Sequence, residues 1–280
     1  MDFFEILKAI ILGIVEGITE WLPVSSTGHM ILVDEFMSLS VSEEFMEMFL
    51  VVIQLGAILA VPVLFWDKLN PFTKKKNKDE QKKTYSLWLK VIVGVLPAAL
   101  IGLLLDDIFD TYFYNYIVVS IALIVYGVAF ILIEKLRGNK AAKVENVYDL
   151  TYTDALKIGA FQVLSLVPGT SRSGSTILGG MLSGVSRSAA AEFSFFMAIP
   201  VMLGASGLKL VKYLLDGGIP SGNEIILLVI GMVVSFLVSL FAIKFLTDFV
   251  KRHDFAPFGI YRIALGIAVI AYFVSKTVFA

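Results

Sequence analysis

The chain has 280 residues, of which 58% are hydrophobic and 17% charged, and its mean hydropathy is +0.84. Soluble domains average about 45–50% apolar and about 25% charged residues, so the composition indicates an integral membrane protein. A net charge of −1 gives no electrostatic case for nucleic acid. The absence of cysteine excludes disulfides, thiolate nucleophiles and cysteine metal sites.

Each half of the chain has one short apolar segment that is broken at a proline, followed by three long apolar segments. The short segments cover residues 9–23 and 155–168, and their prolines, Pro23 and Pro168, are 145 positions apart. A run of about 15 residues is short of the ~20 that a helix needs to span a bilayer. The first long segment ends at Trp66, and the other five lie over 87–105, 116–133, 189–211, 224–246 and 258–279. The pattern predicts six spans and two short, broken helices.

The basic residues predict the orientation of the spans. The lysine-rich loop at 67–86 and the basic linker at 135–143 are expected to be cytoplasmic, with the acidic loops at 34–47 and 106–115 outside. Because three spans is an odd number, the second half must run upside down relative to the first. That is an inverted-topology repeat, whose functional site is expected at the midplane between the repeats.

The predicted fold is an all-α polytopic membrane protein with one integral membrane domain. The first repeat covers residues 1–140 and begins with a re-entrant hairpin at 5–40. The second covers 150–280 and begins with a hairpin at 152–186. Proline breaks each short helix by removing an N–H group. Irregular backbone at membrane depth is tolerated where it is buried or lines a wet cavity.

Glu16 and Glu20 lie four residues apart, so both carboxylates project from one face of a helix within apolar sequence. A charge at the bilayer centre costs about 3 kcal/mol on insertion scales, and two adjacent carboxylates repel each other. The pair therefore calls for a divalent metal, a shared proton or a nearby arginine. The simpler alternative is a pair that is solvated at the membrane interface.

Arg172 is the only charged residue in segment 158–186. Its guanidinium is a permanent cation with a fork suited to phosphate. The residues around it offer hydroxyls or backbone N–H groups to an anion, and the predicted substrate-binding set is Gly169, Thr170, Ser171, Arg172, Ser173 and Thr176. Alternatively, Arg172 neutralises Glu16 or Glu20 and joins the repeats. The two interpretations are compatible.

His29 ends the polar run Ser25-Ser26-Thr27-Gly28-His29. With an ordinary pKa of about 6.5, an imidazole can act as general base or acid near neutrality. A lone histidine on an apolar flank more often has a structural role, but the neighbouring hydroxyls favour catalysis here.

These motifs resemble those of the undecaprenyl-pyrophosphate phosphatase family, also called the bacitracin-resistance proteins. Residues Glu16-Gly-Ile-Thr-Glu20 fit the (E/Q)xxxE motif, and Pro23-Val-Ser-Ser-Thr-Gly-His29 fits its continuation. Residues Pro168-Gly-Thr-Ser-Arg-Ser-Gly-Ser-Thr176 fit the PGxSRSxxT motif. The resemblance covers essentially the whole chain.

The resemblance implies a bacterial inner-membrane enzyme that hydrolyses a polyprenyl lipid, undecaprenyl pyrophosphate, to the monophosphate. This reaction recycles the cell-wall lipid carrier and lowers sensitivity to bacitracin. Family members depend on a divalent cation, here expected to be Mg or Ca. By the motif match, Glu16 and Glu20 hold the metal or activate the attacking group. Ser26 and His29 form the nucleophile/base pair, Arg172 clamps the pyrophosphate, and Ser25 and Thr27 contribute to substrate binding.

Three points stay open at this level. Ser26 activated by His29 is the favoured nucleophile, with water activated by His29 or a glutamate as the alternative. Inverted repeats with broken helices are also typical of secondary transporters, so a flippase or carrier for an anionic lipid or phosphate-bearing solute is the rival function. The site is predicted to face the extracytoplasmic side, and a homodimer is one candidate assembly.

Overall fold

The computed structural model describes residues 2–137 and 141–279, with the backbone alone at Asp106, Asp107, Asp110 and Phe279. In these ranges the regular secondary structure is helical. The α-helices are α1 (Phe3–Thr19), α2 (Ser26–Met37), α3 (Glu43–Leu64), α4 (Trp66–Leu69), α5 (Lys78–Phe113), α6 (Tyr116–Arg137), α7 (Tyr152–Val163), α8 (Arg172–Leu182), α9 (Arg187–Leu215), α10 (Gly222–Phe249) and α11 (Ala256–Phe279). Short 3₁₀ helices lie at Val147–Asp149 and Leu164–Leu166.

Six of the described helices are long and apolar enough to cross a membrane, namely α3, α5, α6, α9, α10 and α11. They coincide with the six long apolar segments of the sequence. Large apolar side chains such as Leu104 and Phe241 remain exposed on them, as expected of a lipid-facing surface. The prediction of an all-α polytopic membrane protein is confirmed.

The charged loops are shorter than predicted because many of their residues belong to helix ends. Ser42 caps α3, whose first turn contains Glu43 and Glu44, so the loop predicted at 34–47 is reduced to 38–42. Helix α5 continues to Phe113 and leaves only two residues of the loop predicted at 106–115 before α6. Carboxylates in a first turn favour the helix because they face its positive end. Lys140, in the predicted basic linker, lies outside the described residues.

Two of the short helices, α1 and α7, pack against long helices of the other half of the chain. Helix α1 lies on α10, and α7 lies on α5. The contacts are close: a Cβ on Gly13 would lie 2.7 Å from the Gly231 carbonyl oxygen, and one on Gly159 would lie 2.1 Å from that of Gly94. Glycine is therefore required for the backbones to approach in this way.

The two halves also meet through α3 with α9 and α6 with α11. One ion pair joins Glu47, near the start of α3, to Lys209, in the last third of α9, at 2.7 Å. A second joins Glu192, near the start of α9, to Lys68, just beyond α3, at 2.5 Å. Helices α3 and α9 are therefore antiparallel.

Candidate active site

The polypeptide breaks twice between short helices, at residues 20–25 (the first break) and 164–171 (the second break). Each break ends on a serine with a φ of 72°, Ser25 and Ser171. Positive φ is uncommon in residues other than glycine and costs about 1–3 kcal/mol. Each serine Oγ accepts a hydrogen bond from a glycine N–H three residues on, that of Gly28 at 3.3 Å and of Gly174 at 3.1 Å. The same backbone device thus starts α2 and α8.

A buried ion pair connects the two breaks. The guanidinium of Arg172, at the start of α8, donates from Nη2 and Nε to Glu20 Oε1 at 3.0 and 3.3 Å. Its Nη1 donates to the carbonyl oxygen of Ser194 on α9 at 2.7 Å, and the group lies 5.9 Å from the centre of the Trp21 ring. Arg172 therefore takes the neighbouring-arginine role predicted for the glutamate pair, and its partner is Glu20.

Glu16 lies one helical turn before Glu20 and is 1% exposed, and its Oε1 has no hydrogen-bond partner. Among the described residues, no group of three His, Cys, Asp or Glu side chains is arranged to hold a metal ion. Mg²⁺, however, is commonly bound through one or two carboxylates together with substrate phosphates. The unpaired oxygen of Glu16 beside Glu20 fits that mode of binding. The described residues do not fit a metal site formed by protein side chains alone.

Ser26 and His29, the predicted nucleophile/base pair, make hydrogen bonds with different partners. The Ser26 hydroxyl donates to Glu20 Oε2 at 2.9 Å. The imidazole of His29 instead lies 2.7 Å from the Ser25 carbonyl oxygen and 2.6 Å from the Tyr261 hydroxyl of α11. The base that Ser26 contacts is therefore Glu20, although positions 26 and 29 lie on the same side of α2.

The hydroxyls at the start of α8, just after the second break, mostly form hydrogen bonds within the protein. Thr176 donates its hydroxyl proton within α8 or to Ser194 Oγ, 2.7 Å away, and Ser173 Oγ lies 3.3 Å from the Leu22 carbonyl oxygen of the first break. Both are fully buried. Thr27, half-buried, lies in the first turn of α2. Their predicted contacts with substrate remain predictions.

Arg262 of α11 is the residue at this site that the sequence analysis missed. It is 0% exposed, and its guanidinium donates to the carbonyl oxygen of Pro23 at 3.1 Å and to those of Gly169 and Thr170 at 2.8 and 2.9 Å. One side chain thus ties the first break to the second. Arg262 is a charge within the apolar run 258–279, the same signal that identifies Arg172 in segment 158–186.

Together these features define a polytopic membrane protein with a buried polar site between two helix breaks, containing carboxylates, a guanidinium, a hydroxyl and an imidazole. The model of the family "Bacitracin resistance protein BacA" matches residues 9–268. The chain belongs to this family.

Curated relatives are similar over nearly their whole length. A protein of Enterococcus faecalis named undecaprenyl-diphosphatase is 60% identical over 272 residues, which is 97% of this chain and 99% of the relative. Proteins of the same name from Desulfitobacterium hafniense and Acetivibrio thermocellus are 56% and 59% identical, covering 99% and 97% of this chain and 99% and 98% of their own lengths.

Proposed function

We propose that this protein is a membrane phosphatase that hydrolyses undecaprenyl diphosphate to undecaprenyl phosphate and inorganic phosphate. The relatives' shared name supports hydrolysis over the transporter alternative. The observation that carries the proposal is the buried Glu20–Arg172 pair, which places an anion-binding fork beside a base and a hydroxyl. In bacteria this reaction recycles the lipid carrier of the cell wall and confers bacitracin resistance.

The site belongs, in this proposal, to an inverted repeat of residues 1–140 and 150–280, in which α1–α2 and α7–α8 are re-entrant hairpins. Three observations support it: the exchanged packing of α1 on α10 and α7 on α5, the antiparallel α3 and α9, and the matched serines of the two breaks. The inner membrane is the proposed location. We further propose that the site faces the extracytoplasmic side, on the positive-inside argument.

Substrate binding would replace the contacts that now neutralise Arg172. A diphosphate is a stronger partner for the guanidinium than one carboxylate, because it offers several charged oxygens to the fork. Arg172 is the first residue of α8, so the positive N-terminal end of that helix lies beside the guanidinium and would also favour an anion. The polyprenyl tail would remain in the lipid beside the protein.

The divalent cation of the family would be held by Glu16 and Glu20 together with the diphosphate oxygens. Its contribution when bound is to neutralise negative charge on the phosphates as the reaction proceeds. Glu16 supplies an unpaired oxygen for this purpose, and its carboxylate would otherwise be left without a partner in a buried position.

Ser26 is the proposed nucleophile. Its Oγ attacks the terminal phosphorus as the bond from that phosphorus to the bridging oxygen breaks, and its proton passes to Glu20, 2.9 Å away. Undecaprenyl phosphate leaves with the bridging oxygen. Water then hydrolyses the phosphoserine, and Glu20 returns the proton to Ser26. The alternative is direct attack by a water that His29 or Glu20 activates, with Arg172 stabilising the charge in both cases.

Phosphate release from undecaprenyl diphosphate by purified protein tests the proposal. We expect Glu20→Gln to abolish release, while Glu47→Gln, which disrupts an ion pair away from the breaks, leaves it intact. A phosphate adduct trapped on Ser26 would support the serine, and full activity of Ser26→Ala would favour water. Movement of lipid across vesicles without phosphate release would instead support the transporter.

A further inference from the structure

Tyr261 of α11 contacts the imidazole of His29 in a defined geometry. Its hydroxyl lies 2.6 Å from Nε2, and the two ring planes are within 8° of parallel, with centres 5.6 Å apart. On the other side of the imidazole, Nδ1 lies 2.7 Å from the Ser25 carbonyl oxygen. Nearly parallel planes allow the tyrosine O–H to point at the lone pair in the plane of the imidazole. Both ring nitrogens of His29 are therefore engaged.

The partners determine which nitrogen carries the proton. A backbone carbonyl oxygen can only accept, so Nδ1 must donate to Ser25. In the neutral imidazole Nε2 is then unprotonated and accepts the hydrogen bond that Tyr261 donates. This assignment leaves one basic nitrogen on His29, and that nitrogen is directed at Tyr261, whereas Ser26 donates to Glu20.

We propose that Tyr261 is a positioning residue for His29, which orients the imidazole and keeps its basic nitrogen facing α11. The proposal rests on the proposed function in so far as His29 serves the reaction. Tyr261 acts through His29 and need not touch the substrate. In catalytic histidines one ring nitrogen is commonly fixed by a hydrogen bond while the other reacts. Here the Ser25 carbonyl oxygen fixes Nδ1, and Tyr261 holds the basic Nε2 in place.

A plain anchoring role would not require this contact. Tyrosine is common where a transmembrane helix meets a more polar environment, and Tyr261 is 47% exposed. A tyrosine that only anchors α11 would leave the imidazole unaffected when its hydroxyl is removed. The ionisable group beside the pair is Arg262, the next residue of α11.

Kinetics of phosphate release from undecaprenyl diphosphate give the first test. Tyr261→Phe should lower kcat about tenfold, a fraction of the 10²–10⁴ attributed to general acid–base groups, and change KM less than twofold. Tyr272→Phe is the matched control, because Tyr272 lies on the same helix and donates to Glu35 instead. An unchanged kcat in Tyr261→Phe, or an equal loss in Tyr272→Phe, would overturn the proposal.

Nitrogen NMR gives a test that does not depend on activity. His253 is the only other histidine of the chain, so ¹⁵N-histidine labelling of His253→Gln protein yields the His29 signals alone. At a pH where the ring is neutral, we expect a protonated Nδ1 and an unprotonated, hydrogen-bonded Nε2. Tyr261→Phe should shift the Nε2 signal to that of a nitrogen without a donor. A protonated Nε2, or a signal unaffected by Tyr261→Phe, contradicts the contact even if the phosphatase proposal itself fails.

Discussion

The two helix breaks share a backbone and differ in chemistry. In each, a serine at a φ of 72° accepts a hydrogen bond from a glycine three residues on and starts the next helix. The first break is flanked by Glu16, Glu20 and His29, the second by Arg172. The same turn therefore fixes the backbone at both breaks, while the neighbouring side chains carry opposite charges.

Burial differs between the two breaks as well. Helix α8 is buried along nearly its whole length, whereas α2 is mostly half-exposed. The more buried break carries the group that would bind the phosphate, and the more open break carries the groups that would act on it. Preorganised charge is most effective where water is excluded, which favours the buried location for the guanidinium.

The largest expected effect comes from removing the contact between the breaks. Arg172→Lys keeps the charge but replaces the planar fork, which contacts Glu20 and Ser194 from different nitrogens, by a single ammonium nitrogen. We expect kcat for phosphate release to fall about 10²–10³-fold, the effect of losing one main charge-stabilising donor.

Arg187→Lys is the matched control for this substitution. Arg187 also donates two hydrogen bonds to a buried glutamate, Glu134, but away from the breaks. The Arg187→Lys substitution should lower the stability of the protein without changing kcat for phosphate release. Equal kcat losses in Arg172→Lys and Arg187→Lys would mean that the Glu20–Arg172 pair is structural only.

The next effect concerns Arg262, which joins the breaks through backbone carbonyls. Arg262→Met leaves the carbonyl oxygens of Pro23, Gly169 and Thr170 without their donor in a buried place. At about 1–3 kcal/mol for each unsatisfied group, we expect a loss of at least about 3 kcal/mol, measured as a lower Tm of the purified protein in detergent. Arg252→Met, at an exposed loop position, is the control. An unchanged Tm for Arg262→Met would refute the joining role.

Much of the fold was predictable because hydropathy reports directly on the lipid environment. The six apolar segments match α3, α5, α6, α9, α10 and α11. The predicted loop boundaries are wrong at Glu43 and Asp106, which lie in α3 and α5 although their charge is typical of loops. Hydropathy cannot distinguish a charged loop from a charged helix end.

Only some of the residues that form the site were predictable from the sequence. Glu16, Glu20 and Arg172 are charges in apolar sequence, which is costly unless they serve a function or a partner. The same argument applies to Arg262 and would have found it. Sequence could not show that Arg172 pairs with Glu20 or that Ser26 donates to Glu20, because such pairings depend on side-chain directions in the folded protein.

A smaller effect concerns the buried polar side chains near the ends of α1 and α7, a carboxylate in the first and an amide in the second. Gln162 lies 146 positions after Glu16, and both are 1% exposed with unpaired side-chain atoms. Glu16→Gln makes the first short helix resemble the second. We expect it to raise the Mg²⁺ or Ca²⁺ concentration for half-maximal activity about 10–100-fold after chelator treatment.

Gln162→Leu provides the comparison, since the amide has no charge to offer a cation. Its cation requirement should equal that of the unmodified protein. An unchanged requirement in Glu16→Gln would remove Glu16 from the proposed metal site.

The smallest effect tests whether the two serines are equivalent in their backbone role. At a φ of 72° alanine is strained, whereas glycine is not, and either substitution removes the side-chain cap. At both Ser25 and Ser171, the alanine variant should therefore be less stable than the glycine variant, by about 1 kcal/mol in the free energy of unfolding. Thermal unfolding of the four variants measures this. If alanine and glycine were equivalent at Ser25 but not at Ser171, the two breaks would have the same backbone geometry without the same backbone energetics.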